Sequence, residues 1–393
     1  MKTPLSLFIG ILMLSLLACG IFSPIATLQP RAVPPTAPAN RPLEPQPTVM
    51  AANPVAAPQI TSFKMFDEAN GWALSEQSVL RTTTGGATWV TAFPAGVSFN
   101  GLPGSAYFSS ASSAWVLVPD PGAPTSAGKL YASSDGGLNW SVLPVPFAVG
   151  QIQFLDIQHG FALISFNQAP GSADLALYQT SDSGVTWSRT FLTDPAAATS
   201  LPVSQAITGF YFRDPLHGWI SGAKSSDTQS YLYSTADGGK TWAPQAVVEN
   251  SELANANVTA YPPLFFNQNA GIFGLTVTSA TVSETIFVIT NDGGLTWLST
   301  NSLPGPAGDK YAIVNPNYWL VWARTRFYAS SDGGFSWLDF SPNQNFGDAA
   351  GDYLVSMSFI SKTTGWALTM DANLRRVLYR TSDGGVTWQA LAQ

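Results

Sequence analysis

Thiols and imidazoles are nearly missing from this chain: it has one cysteine and two histidines in 393 residues. A single cysteine excludes an internal disulfide. A zinc centre built from cysteine and histidine has too few ligands, so no metal or cofactor is expected and a metal-activated hydrolase is disfavoured. Charge is scarce too. Asp, Glu, Lys and Arg make up 10% of the residues, against roughly a quarter in ordinary globular chains. Polar surface must therefore come from Ser, Thr, Asn and Gln. The net charge of −7 argues against general affinity for nucleic acid or anionic lipid.

Long apolar runs are also absent after the first, Leu5 to Ala18. One Lys precedes it, and it is too short and too early for a comfortable membrane span. It reads as a secretory signal peptide, residues 1–18. The run ends in LLAC, which resembles the lipobox of bacterial lipoproteins, so Cys19 is expected to carry a lipid. Acyl chains there would hold the protein on the outer side of a bacterial membrane, in the cell envelope, without a spanning helix. Residues 19–58 follow as a linker. Ten prolines fall between positions 24 and 58 among Ala, Thr and Gln, a composition that buries no core and favours extended polyproline II.

What is abundant is one octet. TTTGGATW (82–89), SSDGGLNW (133–140), TSDSGVTW (180–187), TADGGKTW (235–242), TNDGGLTW (290–297), SSDGGFSW (330–337) and TSDGGVTW (381–388) share a single pattern. Their third positions, 84, 135, 182, 237, 292, 332 and 383, recur every 40 to 55 residues, which signals a repeat architecture. A second motif alternates with them: FDEANGWAL, FSSASSAWVL, FLDIQHGFAL, FRDPLHGWIS, FNQNAGIFGL and FISKTTGWAL, with a degenerate VNPNYWLV at 314–321. Seven of the 13 tryptophans close the octets and five more, Trp72, Trp115, Trp219, Trp319 and Trp366, sit in the second motif.

Each repeat carries four short stretches of alternating β-branched and aromatic residues between turn signals. In the last repeat these are YLVSMSF (353–359), GWALTM (365–370), RRVLYRT (375–381) and TWQALA (387–392), strands A to D. Four antiparallel strands repeated seven times describe an all-β, seven-bladed β-propeller over residues 59–393. The octet is its C–D hairpin. The carboxylates of Asp135, Asp182, Asp237, Asp292, Asp332 and Asp383 should accept hydrogen bonds from their own turns. The glycines should supply positive φ, and the Trp should bury its ring between sheets. Thr84 makes the same bond more weakly. The repeats give no swapped strand to latch the ring, although residues 48–56 could add one at the seam.

The octets match the Asp-box, or BNR, repeat. Their alternation with the Gly-Trp motif resembles the photosystem II assembly and stability factor family of seven-bladed propellers. That resemblance implies a non-enzymatic, membrane-tethered scaffold that holds a membrane-protein partner during complex assembly, acting as a monomer. Sialidases also carry Asp-boxes, but they need three arginines converging at the propeller centre with acid and nucleophile groups. The inner A strands here hold Lys64 and Lys310 and no Arg, and Arg213 falls in an A–B turn. A carbohydrate- or cell-wall-binding propeller is the other alternative. Exposed aromatics would favour it, and the loops at 119–129 and 167–174 have none.

If the octet is the C–D turn, the A–B turn shares its face, and the B–C and D–A loops lie opposite. The step from the Gly-Trp position to the octet Asp position varies from Trp72–Thr84 to Phe161–Asp182. Variation of this kind marks loops free of packing duty, so the binding surface is placed on the loop face. His159 and His217 share one register in the A–B turns and read as turn residues. Of ten arginines, five lie between 324 and 380. Arg324 and Arg375 share a register at the start of strand C, with Arg326 and Arg376 beside them, while Arg81 and Arg380 share another. Together these suggest a basic patch over the last two blades and the first, fitted to an acidic partner.

Overall fold

The computed structural model describes residues 54–391, apart from residues 98, 100–104, 124–125, 170–171, 194–200, 202–205, 225–230, 246, 248–255, 280–282, 304–309, 324 and 348–352. All of these fall in one unit, Pro45–Gln393. The signal peptide, Cys19 and the linker up to residue 53 lie outside the described residues.

No helix occurs among the described residues; the chain is a succession of antiparallel strands. The first sheet is β1 (Ile60–Met65), β2 (Gly71–Ser75), β3 (Val79–Thr82) and β4 (Val90–Thr91). The second is β5 (Ser105–Phe108), β6 (Ala114–Pro119), β7 (Gly128–Ser133) and β8 (Ser141–Val145). The third is β9 (Gln151–Phe154), β10 (Gly160–Ala169), β11 (Ser172–Thr180) and β12 (Ser188–Leu192). Next come β13 (Ile207–Phe212), β14 (Gly218–Lys224), β15 (Leu232–Thr235) and β16 (Ala243–Pro244), followed by β17 (Asn257–Ala260), β18 (Leu264–Phe265), β19 (Gly271–Thr278), β20 (Ser283–Thr290) and β21 (Leu298–Ser299). A two-residue pairing of β14 with β17 joins these nine strands into one sheet. Two four-stranded sheets close the order: β22 (Lys310–Ile313), β23 (Trp319–Ala323), β24 (Arg326–Ser330) and β25 (Leu338–Phe340), then β26 (Tyr353–Phe359), β27 (Gly365–Met370), β28 (Arg376–Thr381) and β29 (Gln389–Ala390).

Burial explains the patterning. Second strands such as β6 and β23 are buried at every residue, because neighbouring sheets cover both faces; such strands read as unbroken apolar runs. Fourth strands such as β16 and β29 are exposed throughout. First strands meet one another instead: β5 contacts β9, β9 contacts β13, β22 contacts β26, and β1 contacts β26. This is propeller packing, with first strands innermost. The first and last sheets share a core in which Trp89 and Leu80 meet Trp366, Leu368 and Leu378. Trp366 Nε1 also donates to the Gly85 carbonyl at 2.8 Å. Among the described residues the first and last sheets therefore meet through side chains, without strand exchange. Of the segment expected to add a seam strand, Pro54 forms only an isolated bridge to Val90, supported by Val55 N–H on the Trp89 carbonyl at 2.8 Å.

The sheets interlock through both motifs. The second-motif aromatic of one sheet stacks on the motif phenylalanine of the next: Trp72 on Phe108 at 5.5 Å, Trp115 on Phe154 at 4.4 Å and Phe161 on Phe212 at 3.7 Å. The octet Trp of that next sheet stands edge-on beside them, as Trp140 does to Trp72 and Trp242 to Phe212. Offset and edge-on geometries suit the aromatic quadrupole.

Two details differ from the sequence expectation. The last strand is Gln389–Ala390 rather than 387–392, because side chains take the N–H groups a longer ladder would use. Thr387 N–H goes to Asp383 and Trp388 N–H to Asn343. In the degenerate copy, Trp319 pairs with Ile313 and Ser330, the register of glycine in most other repeats, and Leu320 takes the tryptophan register. Elsewhere that glycine leaves room for an aromatic; a Cβ on Gly160 would sit 2.5 Å from the Phe154 ring. The smaller Ile313 opposite Trp319 makes the exchange possible.

Ser183 stands where most octets have glycine and holds φ at 65°, a region that costs a residue with a Cβ about 1–2 kcal/mol. Ser183→Gly is expected to raise stability by about 0.5–1 kcal/mol after the extra chain entropy of glycine is subtracted. Gly294→Ala should have the opposite effect. Its Cβ would lie 2.4 Å from Trp219 at φ 85°, and clash plus strain should cost about 2–4 kcal/mol. Denaturant titration of both variants checks the pair.

Candidate functional site

The octet is a closed hydrogen-bond circuit. In the last copy the Thr381 hydroxyl accepts from Gly385 N–H at 2.9 Å and donates to Asp383 Oδ1 at 2.9 Å. Asp383 accepts from Thr387 N–H at 2.8 Å and from the Thr387 hydroxyl at 2.6 Å. Asp135, Asp182, Asp237, Asp292 and Asp332 repeat the pattern, with the side-chain donor at the seventh octet position always on the second carboxylate oxygen. In the first copy Thr84 takes the carboxylate's place, accepting from Thr88 N–H at 2.9 Å. None of these carboxylates faces a reacting partner; each is committed to its own hairpin.

The A–B turn beside each octet is capped in the same way, a regularity the sequence reading missed. Asp67, Ser110, Asp156, Asp214, Asn267, Asn315 and Ser361 each accept two backbone N–H groups from residues two and three positions on. The signal was a short polar residue four positions before the glycine register. His159 and His217 bond Asp156 and Asp214 within these turns, at 2.8 and 2.9 Å, which is the turn role expected of them. The two turns of each sheet are then joined. The N–H at the fourth octet position donates to an A–B carbonyl: Gly85 to Ala69, Gly136 to Ser112, Ser183 to Gln158, Gly238 to Leu216, Gly293 to Asn269, Gly333 to Asn317 and Gly384 to Thr363, all at 2.8–3.0 Å. Both turns thus share one face, the octet face.

The arginines divide between the faces, and the expected single patch breaks up. Arg81 and Arg380 lie on the octet face. Their guanidinium groups sit over Trp72 and Trp366 at 5.2 and 5.4 Å. Arg81 reaches the Ala111 carbonyl of the second sheet, and Arg380 pairs with Glu68 across the seam. Arg213 does the same work for another interface, donating to the carbonyls of Gln268 and Gly293 while pairing with Asp214. Stacking on a Trp, with carbonyl donation by Arg81 and Arg213 and the Glu68 pair of Arg380, fixes all three as inter-sheet ties, so Arg81 and Arg380 leave the proposed patch. On the loop face, Arg326 pairs with Asp339 at 2.7 Å and Arg376 with Glu76 at 3.0 Å, across the seam. Arg375 is exposed, and no ion pair involves it among the described residues. Arg324 lies outside the described residues.

At the inner edge, Lys64 Nζ donates to the Phe108 carbonyl at 2.8 Å and lies over the rings of Phe66 and Tyr107. The walls around it strip water from the ammonium and lower its pKa. Gln153 makes a matching strut, bonding both the N–H and the C=O of Phe212. A cavity of about 270 Å³ opens where Pro262 and Pro263 interrupt the innermost strand between β17 and β18. Leu264, Ile272, Ile313, Met357 and Phe359 line it, with the Tyr311 ring. The lining is mainly apolar, with Ser358 and Tyr311 among it, and holds no acid–base pair.

No family model matches the chain, and no curated protein matches it in sequence. Solved structures do resemble it. YCF48 bound to a D1 peptide superposes with a TM-score of 0.51 at 17% identity, over 86% of this chain and 97% of that one. The GH74 xyloglucanase from Xanthomonas campestris gives 0.58 at 12% identity; it covers 88% of this chain, which spans only 56% of the enzyme. Oligogalacturonate lyase from Vibrio parahaemolyticus gives 0.57 at 8% identity over 85% and 92%. At these identities the likeness establishes the propeller fold alone.

The octet circuits make stability depend on acid. Bonds from Thr296 and Ser336, side chain first and then backbone, hold Asp292 and Asp332 down at about 2 against an ordinary 3.8. In Asp383, partial desolvation pushes upward, and the bonds from Thr387 and Thr381 outweigh it. The depressed carboxyl adds stability that is complete above the unfolded value of 3.8 and is lost as pH falls toward about 2. Urea midpoints should therefore drop steeply across that interval. Asp292→Asn should lower the midpoint at neutral pH and flatten the acid limb.

Proposed function

We propose that the chain is a seven-bladed Asp-box propeller, lipid-anchored through Cys19, that acts as a non-enzymatic scaffold for a membrane-protein partner in the manner of the photosystem II assembly factors. Six four-strand groups and a fifth-place group, β17–β21, whose innermost strand is split in two, each with an octet before its last strand, support the blade count. The pairing of β14 with β17 is a local bridge between the fourth and fifth blades.

The partner surface is the loop face. The longest step between motifs, Phe161 to Asp182, goes into β10 and β11, which extend to ten and nine residues. The octet face spends its polar groups on its own turns. The observation that carries the reading is Arg375, exposed without an ion pair among the described residues, on the same face as the exposed pair Arg326–Asp339 and the half-buried Arg376 paired with Glu76. An exposed pair such as Arg326–Asp339 contributes only about 0–1 kcal/mol, so an incoming carboxylate can replace Asp339 at little cost. An acidic segment of a partner protein fits this site, and a propeller of similar fold has a peptide bound. Arg324 is assigned to the same surface on its register.

Purified wild-type chain and the double variant Arg326→Glu/Arg375→Glu, compared in pull-downs from membranes and against an acidic peptide library, test this. The variant should lose at least about tenfold in affinity, equivalent to about 1.4 kcal/mol, and wild-type binding should weaken as salt rises. Equal recovery of every partner by both proteins would remove the arginine site.

One observation favours a glycan platform as the second reading. Tyr353 is 56% exposed at the loop-face end of β26, the kind of ring on which a sugar stacks. Loss of glycan-array signal in Tyr353→Ala, with Arg326→Glu/Arg375→Glu unaffected, would select this reading.

A further inference from the structure

The three inter-sheet ties made by arginine share one arrangement. Each guanidinium lies over the second-motif Trp of its own sheet: Arg81 over Trp72, Arg213 over Trp219 and Arg380 over Trp366. Its tip reaches the next sheet, between the residue after the A–B cap and the fourth octet position. Arg81 reaches the Ala111 carbonyl, and a Cβ on Gly136 would strike its guanidinium. Arg213 donates to the carbonyls of Gln268 and Gly293 at 2.9 and 2.6 Å. Arg380 pairs with Glu68 and lies beside Gly85. The arginine starts from one of two places. Arg81 and Arg380 stand opposite the Trp on the third strand, and Arg213 directly follows the motif phenylalanine.

The joint between β17–β21 and β22–β25 has the acceptors and lacks the cation. Ile289, opposite Ile272, holds the register of Arg81 and Arg380. Phe266, directly after Phe265, holds that of Arg213. Ile272 takes the place of the Trp, and the missing ring comes from across the joint: Trp319 lies under Gly334 as Trp219 lies under Gly294. Pro316 and Gly333 are the counterparts of Gln268 and Gly293, and no hydrogen bond reaches either carbonyl among the described residues. A cavity of about 200 Å³ opens between these groups, lined by Phe266, Ile289, Pro316, Trp319, Asp332 and Gly333. Bonds from Ser336 keep Asp332 ionised down to a pH of about 2. An indole ring, two open carbonyls and a negative charge suit a flat cation with several donors. Phe335, 60% exposed, also lines the cavity, where its ring can cover an aliphatic stem.

We infer that this cavity receives an arginine side chain from a partner protein, which supplies in trans the tie that Arg81, Arg213 and Arg380 make within the chain. The guanidinium packs on Trp319 and donates to the Pro316 and Gly333 carbonyls, with Asp332 beside it. A lysine ammonium is a point charge without the planar fork and meets these acceptors less well. The site lies on the octet face, where the other polar groups are spent on their own turns. It is independent of the lipid anchor and of the loop-face arginines.

The test is a titration of the isotopically labelled full-length chain with N-acetylarginine methylamide, followed by amide and indole N–H chemical shifts. Saturable shifts centred on the Trp319 indole and the amides of Asn291, Gly333 and Phe335 are expected. The neutral citrulline analogue should bind at least about tenfold more weakly, and the lysine analogue severalfold more weakly. Ile289→Arg places an arginine at the register of Arg81; it should fill the cavity, abolish the response and raise the urea midpoint, while Ile289→Val keeps the response. Absence of saturable shifts at these residues overturns the inference. So does equal binding of the citrulline analogue, or an equal response at the octets of every sheet, which marks diffuse cation binding. A full response in folded Ile289→Arg overturns it as well. The titration of the unaltered chain decides the matter if Ile289→Arg folds poorly.

Discussion

One hydrogen bond, made once in every repeat, organises the molecule: the N–H in the middle of the C–D turn given to a carbonyl of the A–B turn beside it. It fixes two loops of the same sheet against each other. The aromatic at the start of the second strand then stands at a constant height relative to the octet Trp. The stacks between sheets follow from that constancy. If the two turns slid independently, Trp72 could not lie flat on Phe108 while Trp140 met its edge. The glycines serve the bond directly, since a Cβ on Gly85 would come within 2.5 Å of the Glu68 carbonyl.

Because that face is self-satisfied, its many titratable groups are poor guides to chemistry. Six octet carboxylates, two histidines and three arginines are all used locally or between sheets. Arg81, Arg213 and Arg380 reach three interfaces from two different strand positions. A tie of this kind is thus defined by its Trp and by an acceptor on the neighbouring sheet rather than by sequence register. The opposite face has longer and more varied connections, and its Arg326–Asp339 pair is exposed on both sides, so those groups are free to be exchanged.

Much of the fold was legible because the repeat states it several times. The strands YLVSMSF and GWALTM are found at the residues expected, since each is bounded by turn residues and alternates as a sheet demands. Strand D was drawn too long because propensity cannot reveal that Asp383 and Asn343 claim its first two amides. The misplaced register of Trp319 has a similar origin. A tryptophan in a degenerate copy is read as the conserved-looking tryptophan, although its pairing with Ser330 puts it where other repeats hold glycine. The candidate site was legible only as a charge pattern. Sequence spacing brought Arg81 and Arg380 together correctly, but it could not show that they stack at the far end of the strand.

The absence of strand exchange at the seam, among the described residues, has an architectural consequence. Where many rings borrow one strand from the far end of the chain to lock themselves, here the last sheet is complete in itself. The joint with the first sheet is an aromatic and aliphatic interface of the same kind as the others. A gene rearranged to begin at another inter-sheet connection would encode the same toroid, and growth by whole-unit duplication would need no redesign of its closure.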